Sequence, residues 1–347
     1  MKDWATICRF GGLGDNLITS SVLPLLAKDY NIEVISQEPH SAVFENNPHI
    51  SKLSVRKAGD IAGDGLAWQK WFVDRAKEVK LLVNLSHSCE TMLAFVPGQT
   101  QFYWPTAWRQ KWCDRSYLEV VHDICGVPHV YEPRFFVTEE ERAIAQQTKQ
   151  QLGNPVVGWC VSGTRLDKVY PYAAMAIARL IRETGVHVVL FGGPGRDLEY
   201  ARIIQEHVER ENSSLQGLSA AITDEEKQTD ASPGAYHWPI RRSLSLLQQC
   251  DIVIGPDSGP MWAVAMEAMP KIMLLSHASA RNITTGWVNT VTLQADPRRV
   301  PCHPCHLLHD SIETCTPNKD GKGAACISDI SVETIIQETK QLLVATR

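Results

Sequence analysis

The sequence has no long hydrophobic run: nothing in it approaches the ~18–20 consecutive apolar residues that a membrane-spanning helix needs. It also shows no secretory leader. Lys2, Asp3 and Arg9 are scattered through the first ten residues and no apolar block follows them. Positive charge is not in excess either. Lys and Arg number 34 against 39 Asp and Glu, a net charge of -5, which argues against a nucleic-acid binder working by bulk electrostatics. These absences predict a cytoplasmic protein with no nucleic-acid partner and at most peripheral contact with the inner face of a membrane. What the chain does hold is ten Cys and ten Trp. A chain of 347 residues has no need of disulfide staples, so the cysteines call for another explanation.

Hydrophobic residues make up 44% and charged residues 21%, which is globular composition with material for two cores. Short apolar runs alternate with longer amphipathic ones, the βαβ rhythm of parallel-sheet proteins. Strands are predicted over 5–10, 31–36, 52–55 and 81–85, with helices over 15–28 and 66–79. Pro24 should break the first of these helices. Further helices are expected over 117–124, 139–152, 172–184, 196–210, 258–269 and 332–345. Strands are expected over 155–161, 186–191, 251–255 and 271–275. The polar stretch 212–234 reads as an exposed loop.

Three loops carry chemistry-bearing residues. The first, Arg9-Phe10-Gly11-Gly12-Leu13-Gly14-Asp15, follows the first strand and opens a helix. It is neither Gly-x-Gly-x-x-Gly nor a P-loop. Gly12 and Gly14 allow a backbone to come close to a ligand. Asp15 is either a helix cap or a general base at the mouth of a sheet. The second loop holds Ser162, Gly163, Thr164 and Lys168, where hydroxyls, amides and a cation suit a phosphate. The third, Asp257-Ser258-Gly259-Pro260, follows a buried strand and starts a helix. Its amides suit a diphosphate and its carboxylate suits sugar hydroxyls, the alternative being a simple N-cap. No Asp-x-Asp pair sits at a plausible strand end, so no catalytic metal is expected.

These pieces resemble glycosyltransferase family 9, the ADP-heptose:lipopolysaccharide heptosyltransferases and their relatives. The likeness runs from Gly12-Leu13-Gly14-Asp15 through Ser162 to Pro171, Leu190 to Gly195, and Ser243 to Leu247, and closes on Asp251 to Gly259. It implies an α/β, GT-B-type architecture, two Rossmann-like domains facing a cleft. An N-terminal acceptor domain would span 1–137, and a donor domain 138–330 would carry a late Cys-rich loop at 301–327. A final helix at 331–347 would cross back to the first domain. It further implies inverting transfer of a sugar, a heptose in the family's pattern, from a nucleotide diphosphate sugar of the ADP-heptose kind. The acceptor would be a glycan, lipopolysaccharide core or protein. Asp15 matches the family's general base. Ser162, Thr164, Lys168, Asp257, Ser258 and Gly259 match its donor positions. Trp262 stands where the family usually has His, and Tyr170 where it has Trp. A nucleotide-sugar epimerase and a non-catalytic binding protein on the same scaffold are the alternatives.

Cys302, Cys305, Cys315 and Cys326 cluster late in the chain, in a stretch full of Pro and Gly. A tight C-x2-C pair and two later thiols suit a tetrahedral structural zinc or iron site. His303, His306 and His309 are substitute ligands, and two disulfides or four free thiols are the other readings. Some relatives in the wider family carry a similar cysteine finger with iron. The aromatic and basic segment from Trp104 to Arg115 reads as interdomain packing, an acceptor groove or a membrane-surface contact.

Overall fold

The structure is a computed structural model and describes residues 2–57, 60, 65–92, 98–153, 155–212, 216–223, 238–309 and 315–345. Among these, the first half carries a parallel sheet of β1 (Asp3–Cys8), β2 (Tyr30–Gln37), β3 (Lys52–Arg56) and β4 (Leu81–Asn84), in the order β3-β2-β1-β4. Its helices are α1 (Leu13–Ser20), α2 (Leu23–Leu26), α3 (Gly65–Glu78), α4 (Ser88–Met92), α5 (Thr106–Trp112) and α6 (Tyr117–Cys125). Pro24 falls at the start of α2 and separates it from α1, the break its missing N–H demands.

Helix α7 (Glu139–Leu152) leads into the second half. It begins on a reciprocal cap, in which Thr138 accepts from the Glu141 N–H and Glu141 accepts from the Thr138 N–H. The second parallel sheet holds β5 (Val156–Cys160), β6 (His187–Gly192), β7 (Leu218–Ile222), β8 (Ile252–Pro256), β9 (Lys271–Leu274) and β10 (Thr290–Leu293). Their order is β10-β9-β8-β5-β6-β7. The accompanying helices are α8 (Ala173–Thr184), α9 (Arg196–Asn212), α10 (Ile240–Leu247), α11 (Gly259–Ala263), α12 (Ala280–Ile283), α13 (Ala325–Ser328) and α14 (Val332–Ala345). β5, β8 and β9 are buried along their whole length, as strands covered by helices on both faces must be.

Strand order reverses beside β1 in the first sheet and between β5 and β8 in the second. In open α/β sheets such reversals leave a crevice at the carboxyl ends of the strands, where ligands bind. All three loops singled out above leave those ends.

The structure corrects several expectations. Residues 218–222, read as part of an exposed loop, form the buried edge strand β7; its Ser and Ala content hid it. Of that predicted loop, residues 213–215 and 224–234 lie outside the described residues. The helix expected over 258–269 is only the short α11, and β10 was not foreseen. The final helix was expected to cross back to the first domain. Instead α14 lies along α8, with Arg179–Glu333 and Lys340–Glu183 ion pairs, and buries Ile335 and Ile336 in the core of the second half. Among the described residues no helix is long and apolar enough to cross a membrane.

The halves meet over a shared apolar core that joins β1 and α1 residues to Trp238, Leu244 and Trp262. Arg241 on α10 clips them together. Its guanidinium pairs with Glu141 at 2.6 Å and donates to the carbonyls of Ala42 (2.9 Å) and Phe136 (2.7 Å).

Candidate active site where two glycine loops meet

The loop after β1 is built around Asp15. One carboxylate oxygen accepts the Gly12 N–H at 2.8 Å, and the other pairs with Arg9 at 2.6 Å. Asp15 completes the cap of α1 from the third helical position and lies at the mouth of the sheet. A Cβ on Gly11 would come within 2.9 Å of Asp15 Oδ2, and Gly11 has φ +146°, so glycine there lets the carboxylate fold over the loop. Arg9 was not foreseen. Its guanidinium is 2% exposed, donates to the Leu85 carbonyl and lies 3.4 Å from Glu90. Burial opposes its charge, but Asp15 and Glu90 outweigh that and raise its pKa. A charged residue at the end of an otherwise buried strand was the signal available in the sequence.

In the second half, Lys168 and Asp257 converge across the β5–β8 crevice. Lys168 Nζ donates to Asp257 Oδ2 at 2.6 Å, and both residues are buried. Asp257 Oδ1 accepts from the Trp262 indole N–H at 3.1 Å. Burial alone would push the Asp257 carboxyl up; the Lys168 cation and the indole hydrogen bond hold it below the usual carboxylate range. Trp262 thus supplies an N–H to this carboxylate. Tyr170, in place of the family's Trp, donates its hydroxyl to the Ile330 carbonyl at 2.9 Å.

The remaining predicted donor residues divide. Ser162 is turned towards Asp197 and donates to it, while the Gly193 N–H donates to the other Asp197 oxygen at 2.8 Å. Burial pushes the Asp197 carboxyl up against those two donors. Thr164 is exposed. Ser258 stands at the N-cap of α11 without accepting a backbone N–H, so it leaves the first-turn amides uncapped.

The two glycine loops touch. A Cβ on Gly14 would meet the Trp262 ring at 3.1 Å and the Gly259 Cα at 3.5 Å, and one on Gly259 would meet Leu13 Cβ at 2.6 Å. Only glycine permits this approach of α1 to α11. It sets the Asp15 loop of one half against the Asp257 loop of the other.

The four late cysteines line one cavity of about 160 Å3, together with Arg109 and Ser276. All ten cysteines are free thiols. Burial pushes Cys305 up to about 12 and Cys315 to about 11, and Cys326 is well raised. Among the described residues no group of three or more His, Cys, Asp or Glu side chains is already set to hold a metal ion. The donor set itself, four thiols around one small space, is the one a tetrahedral thiolate site uses. Residues 310–314 of this loop lie outside the described residues. Of the substitute ligands, His303 bonds the Ser276 carbonyl at 2.8 Å, and His309 Nε2 lies 3.8 Å from Cys305 Sγ. Burial lowers His306 to about 3.

Helix α5 explains the aromatic and basic segment. Arg109 is buried and donates to the Cys305 carbonyl at 2.8 Å, and Gln110 donates to the His303 carbonyl at 3.3 Å. Interdomain packing is thus the work of Arg109 and Gln110, while Trp108 and Trp112 point outward.

The family model for glycosyltransferase family 9 (heptosyltransferase) matches residues 106–218. No curated protein matches the chain by sequence. Among solved structures, the family 9 glycosyl transferase of Veillonella parvula is 18% identical with a TM-score of 0.66, covering 99% of this chain and 98% of its own. The ADP-heptose lps heptosyltransferase II of E. coli is 15% identical with a TM-score of 0.64, and 99% of each chain is covered. The dodecameric iron-containing heptosyltransferase TibC of enterotoxigenic E. coli, solved with ADP-D-beta-D-heptose, is 13% identical with a TM-score of 0.57. That match covers 100% of this chain and 78% of TibC. The chain is thus similar to glycosyltransferase family 9 over residues 106–218, and it shares a GT-B-like fold from end to end with heptosyltransferase structures.

Proposed function

We propose that the protein transfers a heptose, with inversion, from a nucleotide diphosphate heptose to a hydroxyl of a glycan, lipopolysaccharide core or protein acceptor. The observation that carries this reading is the contact of Gly14 with Gly259, which brings a carboxylate loop against a lysine–carboxylate crevice. The first half would hold the acceptor and the second the donor, in the cytoplasm or at the inner face of the membrane.

Asp15 would act as general base. An ionised carboxylate has about four lone-pair sites. Gly12 and Arg9 use two of them, and the side chain is 27% exposed. A free site remains to take the proton as the acceptor oxygen bonds to the anomeric carbon. The bond from that carbon to the phosphate oxygen breaks, and the nucleoside diphosphate leaves with the electron pair. Lys168 Nζ has three N–H donors and spends one on Asp257, so it can also meet the growing negative charge. Asp257 would receive sugar hydroxyls, and the Ser162–Thr164 turn and the amides around Ser258 and Gly259 would line the diphosphate.

A zinc or iron ion fits the Cys302, Cys305, Cys315 and Cys326 cavity by donor type. It would supply structure to a loop poor in apolar residues. Elemental analysis of the purified protein should find close to one such ion per chain. A content below about 0.2 per chain would remove the site.

The test of activity is nucleoside diphosphate release from a panel of sugar nucleotides, with and without candidate acceptors. Acceptor-dependent release from ADP-heptose is expected. Failure to bind any sugar nucleotide would overturn the reading.

A further inference from the structure

One buried acidic residue beside the donor lysine has no part in the chemistry above. Asp167 is 1% exposed and immediately precedes Lys168 in the tight turn Leu166–Lys168. The two side chains diverge. Lys168 reaches Asp257, whereas Asp167 turns into the protein and accepts hydrogen bonds from three groups: the Ser276 hydroxyl (3.1 Å), His277 Nδ1 (3.0 Å) and the His309 N–H (3.2 Å). Ser276 and His277 follow β9, and His309 belongs to the Cys-rich loop.

That loop is laced to the same segment twice more. His303 bonds the Ser276 carbonyl at 2.8 Å, and the His306 N–H donates to the His277 carbonyl at 2.9 Å. A buried carboxylate satisfied on both oxygens is a stiff anchor, because each charge-assisted bond is short-ranged and directional. Its pKa, held at about 2 against the opposing effect of burial, is consistent with that anchoring.

We propose that Asp167 is a positioning residue: it fixes the turn that delivers Lys168 to the donor crevice and ties that turn to the Cys-rich loop. Its effect on donor binding rests on the phosphate role of Lys168 proposed above; its effect on the turn does not.

Two measurements on the full chain separate these points. The first is the rate at which Lys168 is acetylated by a pulse of N-hydroxysuccinimide acetate, read by peptide mass mapping, with the exposed Lys77 as reference. Asp167→Asn keeps the side-chain shape but removes the charge and should speed Lys168 labelling about tenfold. Ser276→Ala removes one of the three bonds and should give a smaller increase; it carries the test if the Asn variant does not fold. An unchanged Lys168 rate in both variants overturns the proposal. The second measurement is ADP affinity by calorimetry. Asp167→Asn should weaken it about tenfold, yet add nothing in a Lys168→Ala background. Fully additive losses would mean that Asp167 does not act through Lys168. If the unaltered protein binds no ADP, the donor reading falls, while the labelling result still decides the role of Asp167.

Discussion

At the scale of single residues, Asp15 carries two duties that a mutation can separate. Its helix-capping and ion-pairing contacts are electrostatic and local, worth roughly 1–2 kcal/mol between them in a partly exposed setting. General-base catalysis is worth more, about 10^2–10^4 in rate. Asp15→Asn should therefore fold, with only a small drop in melting temperature, and lose at least about a hundredfold in kcat. Near-normal turnover by a folded Asn variant would take the base assignment away. Asp15, Lys168 and Asp257 were legible in the sequence because each sits on a short motif at a strand end. Arg9, Asp167 and Arg109 were not singled out, because what defines them comes from far along the chain. Arg9 meets Leu85 and Glu90, Asp167 meets His277 and His309, and Arg109 meets Cys305. No local pattern announces such partners. Lys168 also shows the limit of a motif: its position was readable, its salt bridge to a residue 89 places away was not.

Elements followed the sequence where periodicity was strong and failed where it was short. Helices α7 and α14 begin and end close to where their apolar spacing and caps put them, and α6 stops at Gly126 with φ +65°, as its turn signal required. β7 and β10 are four or five residues long with no strong β-branched run in the first and polar flanks in the second, so pattern alone left them as loop. The shortness of α11 has a use. It begins at Gly259, the residue that lets this element press on Leu13 of α1. Placing a methyl group there demands that the Leu13 side chain and its helix shift, at about 1–3 kcal/mol, and the shift parts the two loops of the site. Gly259→Ala should thus lower both the unfolding midpoint and the rate of transfer. Gly321→Ala is the contrasting case. Nothing lies within 4 Å of the added carbon, and the strain of φ +66° should cost roughly 1 kcal/mol of stability with transfer unchanged. Equal activity in the two variants would show that the close approach of α1 and α11 is dispensable.

Across the whole molecule, the cysteine count that first called for explanation divides into a late cluster around one cavity and a set of buried core thiols. The second group sets a pH limit on the fold. Burial pushes Cys8, Cys89 and Cys125 from an ordinary 9.0 up to about 12, and raises Cys113, Cys160 and Cys250 as well. Above pH 9 the unfolded chain gives up these protons while the folded chain keeps them. The folded state then binds more protons, so stability falls with rising pH, by about 1.4 kcal/mol per pH unit for each such thiol. In this alkaline range Lys271 works the other way. Burial lowers Lys271 from 10.5 to about 8, so between those values the unfolded chain holds the extra proton and stability rises with pH. One lysine against six thiols leaves a net loss of a few kcal/mol by pH 10. Urea unfolding under reducing conditions should accordingly give a midpoint that is flat to about pH 8.5 and drops steeply beyond pH 9. Cys250→Ala removes one thiol from the sum and should lose about 1.4 kcal/mol less than the parent between pH 7.5 and 10. A midpoint that holds to pH 10, or a variant that falls as fast as its parent, would mean that these thiols are already open to solvent in the folded protein.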